Sequence, residues 1–275
     1  QRLHPGPGPQ QIDSRRRFGL GRPRKASVAP TRRAPQVGAA PVHVAGLSPL
    51  PARTLPHMVI EPGTIAFVTG ASRGIGRIIA EALIAEGASV AGFARQSEQL
   101  DSLRRMGVST HPLDVTDPTM VELAFSDAVA EVGRPTLLVT CAGSVDALGP
   151  LANADPDRWW RAVEVDLRGT MLCARSALTW MLPAGTGRIV TVYGNLGDDG
   201  REHVTAFAAA KAGVARLTEI LAGELADTGV VALCMHRGFV RTPMTESLAT
   251  SESGQQWLPW LGYRADRHWG DGTGA

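Results

Sequence analysis

Residues 64–76, TIAFVTGASRGIG, constrain the fold of this chain more than any other stretch. Thr64–Thr69 is a short apolar run of the kind that forms a buried strand. Three glycines follow at Gly70, Gly74 and Gly76, and from Gly74 apolar residues recur at helical spacing as Ile75, Ile78, Ile79, Ala82 and Leu83. The pattern predicts a strand, a tight turn and a helix reaching about Glu86, with Gly87 as its stop. A strand feeding directly into a helix through glycines is the start of a βα unit, and one such unit implies more.

The rest of the chain supplies them. Further strands are predicted at Ser89–Ala94, Ser109–Leu113, Thr136–Thr140, Gly187–Tyr193 and Val230–Cys234. Helical patterns lie between them, the longest at Pro156–Met181 and His203–Leu225. Regular alternation of this kind predicts an α/β fold, a parallel sheet covered by helices on both faces, with ligands at the carboxyl ends of its strands. A hydrophobic share of 44% over 275 residues is enough for one such domain, expected over 58–275.

At the glycine turn each residue has a stated job. Gly70 permits the turn, Gly74 lets backbone approach a pyrophosphate, and Gly76 lets the helix pack close to the strand. Amides of Ser72, Arg73, Gly74 and Ile75 then face phosphate oxygens, helped by the helix dipole. The predicted ligand is a dinucleotide. A site for NAD(H) would place an acid at the end of the second strand. Here Phe93-Ala94-Arg95 ends that strand, and Arg73 sits in the turn. Two guanidiniums clasp a 2′-phosphate well, so NADP(H) is favoured over NAD(H).

Several segments in order carry a family likeness. TGASRGIG, Asp114-Val115, Cys141-Ala142-Gly143, Phe207-Ala-Ala-Ala-Lys211 and Arg237-Gly238-Phe239-Val240-Arg241-Thr242 resemble those of the short-chain dehydrogenase/reductase family from about Ala66 to Met244. The resemblance implies a Rossmann-like, doubly wound parallel sheet in a single domain. It implies that Asp114 and Val115 contact the adenine. Ala142, Gly143, Lys211, Gly238, Val240 and Thr242 would line the nicotinamide side.

The same resemblance exposes a departure. Members ordinarily use Asn, Ser, Tyr and Lys to move a proton while hydride passes between cofactor and a carbonyl or alcohol. In this chain the tyrosine position is Phe207, which has no hydroxyl to exchange a proton. The serine position is Gly194, and the asparagine position in VEVDLRG is Asp166; only Lys211 is kept. Three readings stay open. One is an NADP(H)-dependent oxidoreductase with an atypical proton donor drawn from Asp166, Lys211 and Tyr193, with His203 a weaker candidate. Another is a non-redox enzyme on the same fold, such as a cyclase, dehydratase or isomerase. The last is a catalytically inactive dinucleotide-binding protein.

Composition sets the remaining bounds. Residues 1–57 carry nine Arg, one Lys and a single acid, Asp13, which leaves the tail near +9 and the body near −7. Ten of the 19 prolines lie before Met58, the composition of a disordered tail. It reads either as a transit segment or as sequence upstream of a start at Met58, the reading favoured here. The body has no basic face with interleaved aromatics, so no nucleic-acid partner is expected. No apolar run reaches membrane-helix length, and the partner expected is a small-molecule substrate. Cys141, Cys173 and Cys234 are too scattered for a disulfide framework or a metal site, which points to a reducing, cytoplasmic setting. After Pro243-Met244, Trp257, Leu258, Trp260 and Leu261 form a candidate lid, with no convincing final strand behind it. The two long helices resemble the pair through which relatives dimerise, and a homodimer is the expectation.

Overall fold

The computed structural model describes residues 60–194, 201–236 and 238–269; the basic tail and Arg237 lie outside the described residues. Six parallel strands form one sheet in the order β3-β2-β1-β4-β5-β6. They are β1 Ile65–Thr69, β2 Ser89–Ala94, β3 Ser109–Pro112, β4 Leu137–Thr140, β5 Gly187–Tyr193 and β6 Val230–His236. The order reverses between β1 and β4, and the crevice at such a reversal is where this architecture holds ligands.

The helices are α1 Gly74–Ala85, α2 Glu98–Arg104, α3 Pro118–Val132, α4 Pro156–Val163, α5 Gly169–Ala184 and α6 Thr205–Glu224. Three more follow the sheet: α7 Pro243–Thr250, α8 Glu252–Trp257 and α9 Pro259–Trp269. Their starts are written locally. Asp117 and Asp155 each accept two backbone N–H groups ahead of a proline at the first turn, and Thr242 forms a reciprocal capping box with Thr245 ahead of Pro243.

Two layers of core flank the sheet. On one face Phe67, Phe93 and Phe125 meet at ring distances of 4.7–5.3 Å, with α3 and α5 above them. On the other, Ala66, Val68, Val90 and Val139 pack under α1 and α2. A third cluster lies beyond the strand ends, where Val204 and Phe207 meet Leu248, Leu258 and Leu261.

The expected helix 156–181 differs in one respect. It is interrupted by a π turn at Glu164–Arg168 before α5 continues to Ala184. A π turn widens the helix by one residue and re-aims its side chains. Here it carries Asp166. Among the described residues β6 is the last strand of the sheet.

Candidate active site

The site begins at the end of β1. Gly70 adopts φ +67°, and a Cβ there would meet the Ala142 nitrogen and the Cys141 carbonyl carbon at 2.8 Å. A Cβ on Gly76 would stand 2.5 Å from the Gly70 carbonyl oxygen. Neither position tolerates a side chain, because backbone fills the space on both sides. The Thr69 hydroxyl accepts the N–H groups of Cys141 and Ala142 at 3.2 and 3.4 Å, which ties β1 to β4 at the switch point. Gly74, at φ +60°, faces the Thr242 side chain at ordinary contact distance. The turn and the 238–242 segment, far apart in sequence, thus close on one crevice. This cradle fits a dinucleotide pyrophosphate.

Just beyond the end of β3, Asp114 is already engaged. Its carboxylate accepts from the backbone and hydroxyl of Thr116 and pairs with the guanidinium of Arg161. Burial pushes its pKa up, but these partners outweigh it and hold the carboxyl below its usual value. Val115 is buried against Gly169. Arg73 and Arg95 are both exposed, one in the turn and one just after β2, and Ser72 and Ile75 are half-buried.

The chemical end is built on the π turn, the loop after β4 and α6. Asp166 is fully buried, and its Oδ1 lies 2.7 Å from Lys211 Nζ, off the angle of a hydrogen bond. The Ser144 N–H donates to its Oδ2 at 2.8 Å. Burial raises the Asp166 pKa; Lys211 and Ser144 only partly offset it. Gly143 leaves room for the pair, since a Cβ there would approach Asp166 Oδ1 to 3.0 Å and Lys211 Nζ to 3.7 Å. Lys211 also donates to the Val192 carbonyl at 3.4 Å and stands 5.5 Å from the Phe207 ring centre. Its side chain is 8% exposed, against 0% for Asp166, so Lys211 is the member with a surface to offer.

Tyr193 is placed differently. It shares its face of β5 with Thr191, whose hydroxyl bonds Thr218 on α6, and its ring packs edge-on against His236. That is a packing position. His203 has φ +70°, an uncommon conformation for a non-glycine residue, and its ring lies 4.9 Å from that of Trp257. The candidate lid packs as core: Leu258 and Leu261 are buried against Phe207. Gly238 takes φ +64°, and the Val240 carbonyl accepts the Thr245 hydroxyl at 3.0 Å.

The sequence reading missed the ion pair. It named Asp166 and Lys211 as separate candidates without pairing them, although an acid in VEVDLRG and a lysine in FAAAKAG are both charges within helices meant for burial. Among the described residues no cluster of side chains suits a metal ion, and no helix is long and apolar enough to cross a membrane.

Comparison with known proteins agrees with this geometry. Residues 64–253 match the family model described as short chain dehydrogenase. The chain is 33% identical over 192 residues to a 2-dehydro-3-deoxy-L-rhamnonate dehydrogenase (NAD(+)) of Sphingomonas sp. (strain SKA58), covering 69% of this chain and 77% of that one. It is 34% identical over 193 residues to the 3-oxoacyl-(acyl-carrier-protein) reductase FabG of Salmonella typhimurium, covering 69% and 79%. Among solved structures, an actinorhodin polyketide ketoreductase with NADPH superposes with a TM-score of 0.67 at 32% identity, covering 76% of this chain and 83% of the other. Cradle, sheet order and matched residues together place this chain in the short-chain dehydrogenase family, whose members are oxidoreductases of carbonyl and alcohol groups that use a nicotinamide dinucleotide.

Proposed function

We propose that this protein is an NADP(H)-dependent oxidoreductase in which Lys211, backed by Asp166, takes over the proton transfer ordinarily made by a tyrosine. The observation that carries the reading is the 2.7 Å contact between a fully buried Asp166 and a Lys211 that keeps an exposed edge. Among the described candidates, Lys211 is the one that stands beside the Phe207 ring, which has no hydroxyl of its own, while Tyr193 packs against His236 and His203 against Trp257.

Bound NADPH would supply the hydride in the reducing direction. The Lys211 ammonium gives its proton to the oxygen that gains negative charge, leaving a neutral amine beside the Asp166 carboxylate. A carboxylate whose proton affinity burial has raised favours return of a proton to the pair from solvent. In the oxidising direction the neutral amine takes the alcohol proton. A positioned acid or base of this kind contributes about 10²–10⁴-fold to rate.

Preference for the 2′-phosphate rests on charge. The relatives divide between NAD(+) and NADPH by name, so they do not choose. The absence of an acid at the end of β2, with exposed Arg73 and Arg95 nearby, favours NADP(H). Gly70, Gly74 and Gly76 would hold the pyrophosphate, Asp114 and Val115 the adenine side, and Ala142, Gly143, Gly238, Val240 and Thr242 the nicotinamide side. The partly buried Val145, Leu148 and Trp257 that flank the Phe207 cluster favour a substrate with an apolar body.

The test is titration with NADPH and NADH, followed by NADPH oxidation against a panel of ketones and quinones. Tighter NADPH binding with turnover of an apolar ketone is the expected result. Tight binding with no turnover on any of them would overturn the redox reading in favour of a non-redox or inactive member.

A further inference from the structure

The stretch from α4 through the π turn reaches two places at once. Asp166 within it meets Lys211, while Arg161 and Arg168 reach back to the loop after β3. Arg161 arrives as a fork: one terminal nitrogen donates to Asp114 Oδ2 and the other to the Thr116 hydroxyl at 2.6 Å. That hydroxyl donates in turn to Asp114 Oδ1 at 2.8 Å, and the Thr116 N–H donates to the same oxygen at 3.0 Å. Asp114, Thr116 and Arg161 thus close a ring. Arg168 holds the Thr116 carbonyl at 2.6 Å, which fixes the ring to the π turn as well.

The turn does not need the arginine. An aspartate bonded to the N–H and hydroxyl two residues on closes such a turn by itself. Nor does the ion pair add much to folding, because the Arg161 and Asp114 side chains are 46% and 33% exposed. What the fork does is fix the carboxylate. An ionised carboxylate has about four lone-pair positions. Thr116 fills two on Oδ1 and Arg161 one on Oδ2, which among the described residues leaves one on Oδ2. Burial alone would raise the Asp114 pKa, but these partners hold it below its usual value, so the group accepts and does not donate. The Leu113 N–H, bonded to the Ala94 carbonyl at 2.8 Å, keeps Asp114 beside the end of β2 at the edge where the strands end.

We infer that Arg161 is the positioning residue of a base-reading site: by locking Asp114 it makes the chain select a dinucleotide base with an exocyclic amine over one with a carbonyl there. The inference rests on the proposed function, in which Asp114 stands on the adenine side. Adenine donates an N–H into the remaining lone pair. Hypoxanthine presents an oxygen at the same place, and two acceptors then face each other with no proton between them. Without Arg161 the Oδ2 side of the carboxylate turns to water, and the cost of ordering it falls on binding. Lysine would keep the charge but not the fork, so it does not replace Arg161.

The experiment is calorimetric titration of the full chain with NADPH and with its hypoxanthine analogue, for wild type and Arg161→Met, with circular dichroism to show that both are folded. Wild type should bind NADPH about tenfold more tightly than the analogue, the size of one charge-assisted hydrogen bond. Arg161→Met should lose about that factor for NADPH and bind the analogue as wild type does. A wild type that binds both nucleotides equally overturns the inference and leaves the dinucleotide reading standing; one that binds neither overturns both. A variant that keeps the wild-type ratio, or weakens both nucleotides alike, shows that Arg161 is merely structural. If Arg161→Met fails to fold, Arg161→Lys takes its place. Loss of the ratio in that variant supports the fork, and a retained ratio contradicts it.

Discussion

The glycine crevice between β1 and β4 and the chemical end between the π turn and α6 sit a few residues apart, yet they are fixed by different physics. At the crevice, backbone excludes every side chain: a Cβ at Gly70 or Gly76 would collide with main-chain atoms at 2.8 and 2.5 Å. At the chemical end the backbone frame leaves room, and side chains decide what happens. There the family likeness read from the sequence sets Asp166, Gly194 and Phe207 against the expected asparagine, serine and tyrosine. A binding function written in backbone resists substitution. A proton-transfer function written in side chains can be rewritten, and the proposed function assigns it here to a buried ion pair.

The largest expected effect breaks that pair. Lys211→Met leaves the Asp166 carboxylate buried without its cation, and urea unfolding should show a loss of about 3–5 kcal/mol. Adding Asp166→Leu removes the orphaned charge and should restore most of that stability. If the single variant unfolds like wild type, the pair is not the buried unit described. At the crevice, Gly76→Ala should cost about 1–3 kcal/mol through overpacking against the Gly70 carbonyl. NADPH titration should show binding lost with it, and unchanged affinity would mean that the crevice does not hold the pyrophosphate.

A smaller effect separates the two cofactors. Arg73→Ala or Arg95→Ala should weaken NADPH binding about tenfold and leave NADH binding nearly unchanged, as expected when one hydrogen-bonded cation leaves a phosphate. Equal losses for both nucleotides would remove these arginines from the 2′-phosphate.

The smallest effect is on pH dependence. Burial raises the Asp166 pKa in the folded state above the usual carboxylate range, so the folded chain binds its proton more tightly than the unfolded one. Its contribution to stability is therefore complete below the unfolded value and is lost as pH rises through the folded value. Asp166→Asn should remove that decline from the stability–pH curve. A curve identical to wild type would assign the decline to other groups.

Much of the fold was legible in the sequence, because strands β2 and β5 and the start of α1 are bounded by strong local signals: glycines, a proline and short apolar runs. The cradle was legible for the same reason. The π turn was not, since VEVDLRG continues the helical pattern and only packing widens it. The Asp166–Lys211 pair joins residues 45 positions apart, and no local spacing announces it. Tyr193 was attractive by adjacency to Gly194, but strand alternation turned it toward His236. The lid failed as a lid because Leu258 and Leu261 had a buried partner in Phe207.

Turnover at saturating NADPH, compared between wild type and Lys211→Met on the same ketone, tests the central claim most directly. Saturation removes any change in cofactor affinity, so kcat reports the steps after cofactor binding once folding has been verified. The account predicts a fall of at least about 100-fold. A Lys211→Met enzyme that reduces the ketone at the wild-type rate would contradict it.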